Sequence, residues 1–148
     1  AGTDVDLFSL QPADDKPIKL RGFRLSQISE VGDTAEEGLR VTVRRMTATF
    51  TVGSGGLAIT AAAPNADATE PVWGFTARGN DTTVSTTSGT NQILEEIGWN
   101  NRNSPYEFFY PEERFFPKAR QGEALVLRLE TTLLDDMTGV FTVWVEED

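Results

Sequence analysis

In this 148-residue chain the side chains best placed for chemistry are carboxylates, which occur as adjacent pairs at Asp14–Asp15, Glu36–Glu37, Glu95–Glu96, Glu112–Glu113 and Asp135–Asp136. A glycosidase holds two carboxylates about 5–9.5 Å apart across a sugar cleft. Neighbouring residues of a strand point to opposite faces, so a strand-borne pair does not make that geometry by itself. Calcium asks for a loop dense in Asp, Asn and carbonyl oxygens. No Asp-x-Asp-x-Asp-Gly run occurs, and only Asp81 after Asn80, or Asp135–Asp136, could join a loose site. Solvated acids that keep the surface soluble are the simpler reading.

The chain contains no histidine and no cysteine. Serine–histidine triads, Cys–His dyads, HExxH zinc sites, thiolate metal sites and disulfides are therefore excluded. An enzyme would have to work through carboxylates, with two acids converging in a cleft and one pKa raised. Gly53-Ser-Gly-Gly56 is no phosphate loop, because no Gly-Lys-Ser/Thr follows it. The Thr/Ser run at 82–90 suits an exposed strand and turn, and no base adjacent in sequence activates it. The expectation is a chain without enzymatic activity, cofactor or metal, acting through its surfaces.

Net charge is −10 and the sequence pI about 4.4, which argues against nucleic acid or an anionic membrane as partner. Residues 16–45 depart from this, with seven bases (Lys16, Lys19, Arg21, Arg24, Arg40, Arg44, Arg45) against four acids. Such a band could bind an acidic partner, including a second copy of the chain. Local pairing on the chain's own surface is the alternative. No stretch approaches the roughly 20 apolar residues that span a bilayer. The N-terminal Ala-Gly-Thr-Asp has no basic region followed by an apolar core. A protein made in the cytoplasm, or a trimmed mature form, is expected.

The elements that must position these groups are strands. A chain of this length is one ordinary domain, 1–148, and its dominant hydrophobic period is two. Leu39-Arg-Val-Thr-Val43 alternates apolar and polar, then the apolar set changes parity to Met46, Ala48, Phe50 and Val52, which predicts a bulge near Arg44–Arg45. Ile18 and Leu20 give way to Phe23 and Leu25 in the same way, with Gly22 at the change. Glu123–Glu130 puts Leu125, Leu127 and Leu129 on one face and Val126, Arg128 and Glu130 on the other. The closing run Gly139–Val145 is apolar on both faces, as in a strand buried on both sides, either inside the sheet or under a neighbouring subunit. With turn residues at 135–139 between them, these last two strands read as antiparallel neighbours. Further strands are expected at 4–10, 71–77, 82–88 and 92–97, and single helical turns at Thr34–Gly38 and Leu94–Ile97. The sum is an all-β, antiparallel β-sandwich of about eight strands, jelly-roll-like, with an immunoglobulin-like sandwich as the alternative. Residues 1–15 could form an extended N-terminal arm, and the Gly/Ala-rich residues 53–70 a long surface loop.

Residues 99–117 hold Trp99, Tyr106, Phe108, Phe109, Tyr110, Phe115 and Phe116, half of the fourteen aromatics, with prolines at 105, 111 and 117. The rings could close one end of the core, form a subunit contact or stack on a sugar. With Trp144 and the arginines Arg40, Arg44 and Arg45, they are the candidate interface residues.

Three stretches carry a family likeness: Ile28–Val43 with its Ser-Glu-Val-Gly-Asp turn, Gly122–Leu129 with Leu-Val-Leu-Arg-Leu, and Asp135–Val145. In these, and in the Gly/Ala/Pro-rich middle between them, the chain resembles small virion structural proteins of tailed bacteriophages, of the head decoration (cement) type. The likeness covers about half the chain and carries over no functional residue. It implies a jelly-roll-like protein on the outside of an icosahedral head, commonly a trimer, bound to the major capsid protein lattice and made in the host bacterial cytoplasm. No tether motif is recognisable at the N-terminus. A tail or fibre module, or a lectin-like glycan binder, is the alternative function.

Overall fold

The computed structural model describes residues 4–28, 38–62, 74–100, 105–130 and 137–147. Its strands are β1 (Val5–Gln11), β2 (Ile18–Gln27), β3 (Gly38–Met46), β4 (Phe50–Thr51), β5 (Leu57–Ile59), β6 (Thr76–Asp81), β7 (Thr86–Thr87), β8 (Asn91–Asn100), β9 (Tyr106–Phe109), β10 (Lys118–Ala119), β11 (Ala124–Leu129) and β12 (Gly139–Glu147). One 3-10 turn, Glu113–Phe115, interrupts them. Every pairing is antiparallel. The larger sheet has the order β5-β6-β1-β11-β3-β8. The smaller has β2 at its centre, β12 on one side, and β9 and β10 end to end on the other. β4 and β7 form a separate ribbon.

The two sheets make an antiparallel β-sandwich around a single core cluster, in which Leu10, Leu39, Val41, Val43, Leu125 and Leu127 meet Ile18, Leu20, Phe23 and Leu25. The chain changes sheet at each step from β1 to β2 to β3, and again from β8 through β9 and β10 to β11 and β12. This winding is jelly-roll-like; an immunoglobulin sandwich keeps its first two strands in one sheet.

The parity change expected at Gly22 is a bulge in β2. Trp144 pairs with Gly22 and Val145 with Leu20, leaving Arg21 as the extra residue. Ile18 and Leu20 before it and Phe23 and Leu25 after it all face the core. The bend expected at Arg44–Arg45 occurs at that level, but the extra residue belongs to the neighbour. β3 runs unbroken along β11, while Val43 pairs with Glu95 and Arg44 with Ile93, so Leu94 is the bulge. Met46 is buried all the same, outside the main core and opposite Ala124.

Several expectations need correction. β11 and β12 are not neighbours: β11 lies between β1 and β3, and β12 pairs with β2 in the other sheet. Leu94–Ile97 is strand, inside β8. Of the expected loop at 53–70, Leu57–Ile59 is the edge strand β5 and Ser54 bridges to Thr83, while 63–70 fall outside the described residues. Of the expected arm at 1–15, Val5–Gln11 is an internal strand between β6 and β11. Among the described residues the count is twelve strands, three of them only two residues long. The turn expected at Thr34–Gly38 lies outside the described residues up to Gly38, which opens β3.

Candidate interaction surface

The arginines of the basic band are engaged within the chain. Arg40 ion-pairs with Glu96 and, at 3.6 Å, with Glu130, and Arg44 pairs with the same Glu130 and donates to Asn91 Oδ1 (3.2 Å). Arg45 donates to Gln92 Oε1 (3.1 Å) and to the Lys118 carbonyl (3.3 Å). Lys19 pairs with Glu113 (2.6 Å) and Arg24 with Glu107 (2.7 Å). The band is thus largely matched by acids brought to it by pairing between distant strands.

The aromatic segment divides by strand alternation. Trp99, on β8, is buried and packs edge-on against Phe141. Tyr106, Phe108 and Tyr110 point inward and pack on Phe23 and on one another. The Tyr110 hydroxyl is buried without a hydrogen-bond partner among the described residues. That burial, and secondarily Glu95 and Tyr106, push its pKa well above the usual phenol value. Phe109 points outward and is 50% exposed, Phe115 is equally exposed, and Phe116 lies under the Arg21 guanidinium.

The outer face of the smaller sheet gathers the outward rings. Across one row stand Phe109, Gly22 and Trp144, because both rings pair with the same glycine. The Phe109 and Trp144 centroids are 4.8 Å apart. A Cβ on residue 22 would lie 2.6 Å from the Phe109 ring and 2.5 Å from the Phe108 carbonyl, so the glycine lets the ring lie flat across β2. In the next row Arg24 stands between Glu107 and Thr142, its guanidinium 5.1 Å from the Trp144 ring centroid. Val140, 46% exposed, follows on β12. Phe109 and Trp144 are two sequence candidates that the fold brings together on the outer face of the smaller sheet; Arg40, Arg44 and Arg45 lie on the larger sheet.

The sandwich has two open sides. One cleft, about 460 Å³, runs between β12 and the β5–β6 edge and is floored by Phe8, Leu10, Phe75, Phe141 and Val143. The other, about 520 Å³, lies between β8 and the 110–117 turn and is lined by Arg45, Glu95, Tyr110, Arg114, Phe115 and Phe116.

One buried polar cluster was not foreseen. On the outer face of the larger sheet Arg128 Nε donates to Asp6 Oδ1 at 2.7 Å, and its Nη2 to the Ser85 carbonyl at 2.9 Å. The Ser85 N–H donates to Asp6 Oδ2 at 2.7 Å, and the Gly53 N–H to Ser85 Oγ at 3.1 Å. These bonds fasten the Thr/Ser run over the sheet, so the face assigned to Val126 and Arg128 is buried too. The only sequence signal was a single charge inside each of two apolar runs.

Two of the acid pairs are divided between different partners. Glu95 lines the second cleft while Glu96 faces Arg40, and Glu112 pairs with Arg114 while Glu113 pairs with Lys19. Glu36–Glu37 and Asp135–Asp136 lie outside the described residues. Among the described residues no group of three or more acidic side chains could hold a metal ion, and no helix is long and apolar enough to cross a membrane. Comparison of the chain with known protein families, with curated proteins and with solved structures yields no match.

Proposed function

We propose that the chain is a non-enzymatic virion structural protein, a decoration or cement protein that stabilises a phage head through subunit–subunit contacts. The observation that carries this reading is the aromatic outer face of the smaller sheet. There Phe109 and Val140 stand exposed and Trp144 part-exposed on the sheet, and outward aromatic rings supply large contact area. The family likeness names the partner, the major capsid protein lattice, and places the protein on the virion surface as a homo-oligomer, commonly a trimer. An acidic chain of net charge −10 suits an outer layer that keeps particles apart.

The test is co-sedimentation with assembled phage heads and, separately, with unassembled capsid subunits. Binding to heads alone, lost in Phe109→Ser/Trp144→Ser, is the expected result. A protein that ignores intact heads overturns the reading. The cleft between β8 and the 110–117 turn supports a second reading, a glycan-binding module, because half-exposed Phe115 stands there beside Arg114, Arg45 and Glu95. In that case Phe115→Ala abolishes glycan-array binding and leaves head binding intact.

A further inference from the structure

Sheet edges invite pairing with other chains, and folded proteins guard them with charge, proline, bulges or short length. Three of the edges here carry such guards. β8 presents Asn91, Gln92, Glu95 and Glu96 and is kinked by the Leu94 bulge. β5 is three residues long. β9 and β10 are four and two residues, flanked by Pro105, Pro111 and Pro117.

β12 has none of these. It runs nine residues without proline or lysine and without charge before Glu146, and no described residue pairs with its outer side. Its one register shift places the extra residue in β2, so β12 itself stays regular. Val-Phe-Thr-Val-Trp-Val is also the kind of segment that pairs with copies of itself. The strand is incompletely covered along its length: all of Phe141–Val145 is part-exposed, whereas every residue of β11 is buried.

Its backbone is set for a partner. The Thr138 carbonyl accepts from the Ile28 N–H (3.0 Å) and the Val140 carbonyl from the Ser26 hydroxyl (2.8 Å), so both face β2. Antiparallel alternation then turns the N–H and C=O of Gly139, Phe141 and Val143 outward.

We propose that β12 pairs antiparallel with β12 of a second copy about a twofold axis at Val143, joining the two smaller sheets into one. A twofold contact needs only one kind of edge, and β12 is the one long unguarded edge among the described residues. Charge favours the antiparallel sense. Pairing centred on Val143 sets Glu146 opposite Val140 of the second copy, and Thr142 opposite its Trp144, so no acid meets an acid. Parallel pairing would set Glu146 and Glu147 beside their own equivalents. The two Phe109–Trp144 strips then flank a shared sheet. This twofold pairing gives a dimer in place of the trimer that the family likeness implies, and rests on the structural reading above only for the biological setting.

The full chain contains no cysteine, so Val143→Cys is a clean reporter. Hydrogen-bonded antiparallel partners stand about 5.5 Å apart at Cα, within disulfide range. Mild oxidation is expected to give a covalent dimer that reductant reverses. Val140→Glu sets acid against Glu146 twice per dimer and is expected to weaken association on the order of tenfold in light scattering or sedimentation equilibrium. Val140→Glu/Glu146→Lys restores it, which a loss of folding would not. Val140 is nearly half exposed, and an unchanged circular dichroism spectrum checks that each variant folds. A monomer, or a trimer whose mass Val140→Glu leaves unchanged and in which Val143→Cys does not cross-link, overturns the twofold pairing. If such a trimer binds heads, the decoration reading stands without it. A dimer that meets every expectation but ignores heads keeps the pairing and overturns the decoration reading. Loss of head binding in Val140→Glu with unchanged solution mass gives the edge to a capsid strand and also overturns self-pairing.

Discussion

β11 and β12 read alike as sequence and sit in opposite circumstances. Leu-Val-Leu-Arg-Leu carries a charge in its middle, whereas Val-Phe-Thr-Val-Trp-Val carries none. Yet β11 is the strand buried along its whole length, between β1 and β3, and β12 is the edge of the smaller sheet. Apolarity on both faces therefore does not locate a strand. What buries β11 is a second layer on each side: the smaller sheet over Leu125 and Leu127, and the Ser85 segment over Val126 and Arg128. The charge is tolerated there because Asp6 and the Ser85 carbonyl take up the guanidinium. β12 has that layering on its inner face alone.

The largest effect is expected from breaking the polar cluster that lets β11 be central. Asp6→Asn leaves Arg128 buried without its counter-charge and should cost about 3–5 kcal/mol in urea unfolding. Replacing both members with apolar residues, Asp6→Leu with Arg128→Met, should recover much of the loss. About 1–3 kcal/mol should remain, because the Ser85 N–H loses its acceptor. A cost below about 1 kcal/mol for Asp6→Asn would mean the ion pair is not what fastens this layer.

The same substitution on the two strands sharpens the comparison next. Val126→Ala removes two methyls from a fully covered site and should cost about 2–3 kcal/mol. Val143→Ala removes them from a part-exposed site and should cost about 1 kcal/mol at low protein concentration. If β12 pairs with a second copy, that second cost rises with protein concentration while the first does not. Equal, concentration-independent costs would erase the distinction between the strands.

How much of this was legible in the sequence depends on the range of the signal. The Gly22 parity change is local, and the bulge at Arg21 follows from it directly. The bend at Val43–Arg44 was legible in position, but which strand carries the extra residue is decided by register against β8, over fifty residues away. The adjacency of β11 and β12 does not follow from their closeness in sequence, because turn residues at 135–139 suit a hairpin while the nine residues between the strands also let the chain pass from one sheet to the other. Asp6 and Arg128 stand 122 residues apart, and nothing at either position names the other. In the aromatic segment, alternation sends Phe108 inward and Phe109 outward, but the flatness of the Phe109–Trp144 strip required knowing that both rings oppose Gly22.

A smaller, pH-dependent effect belongs to the row that contains Arg128. Asp6 and Asp81 stand directly opposite on β1 and β6, a like-charge pair that would repel unless each were held by its own base. Arg78 holds Asp81 with two bonds of 3.0 and 2.9 Å, and the Gly56 N–H adds a third at 2.9 Å. The Arg78 hydrogen bonds lower the Asp81 pKa below the ordinary 3.8, helped by Gly56 and opposed by burial. A carboxylate with a depressed folded-state pKa contributes stability above its unfolded pKa and loses it as pH falls through the folded value. The melting temperature should therefore drop as pH falls below about 4. Asp81→Asn should lower it at pH 7 and flatten that acid-side drop; an unflattened drop would place the acid sensitivity elsewhere.

A small, salt-dependent effect is expected on the outward face of the smaller sheet, between β2 and β9. Arg24 and Glu107 are both nearly half exposed, so their 2.7 Å ion pair is worth about 0–1 kcal/mol, and the Arg24 contact with Trp144 about 0.5–1 kcal/mol. Salt screens the ion pair strongly. Arg24→Gln, which keeps most of the stem but drops the charge, should therefore destabilise by about 0.5–2 kcal/mol in low salt, less in 1 M salt. On β11 the arginine is costly to unpair because it is sealed with its partner; on β2 the arginine beside Trp144 can be lost at little cost because water can replace what it touches. A large, salt-insensitive loss from Arg24→Gln would show that this face is covered in solution, which edge pairing of β12 does not do, since it extends the sheet and leaves its outer face open.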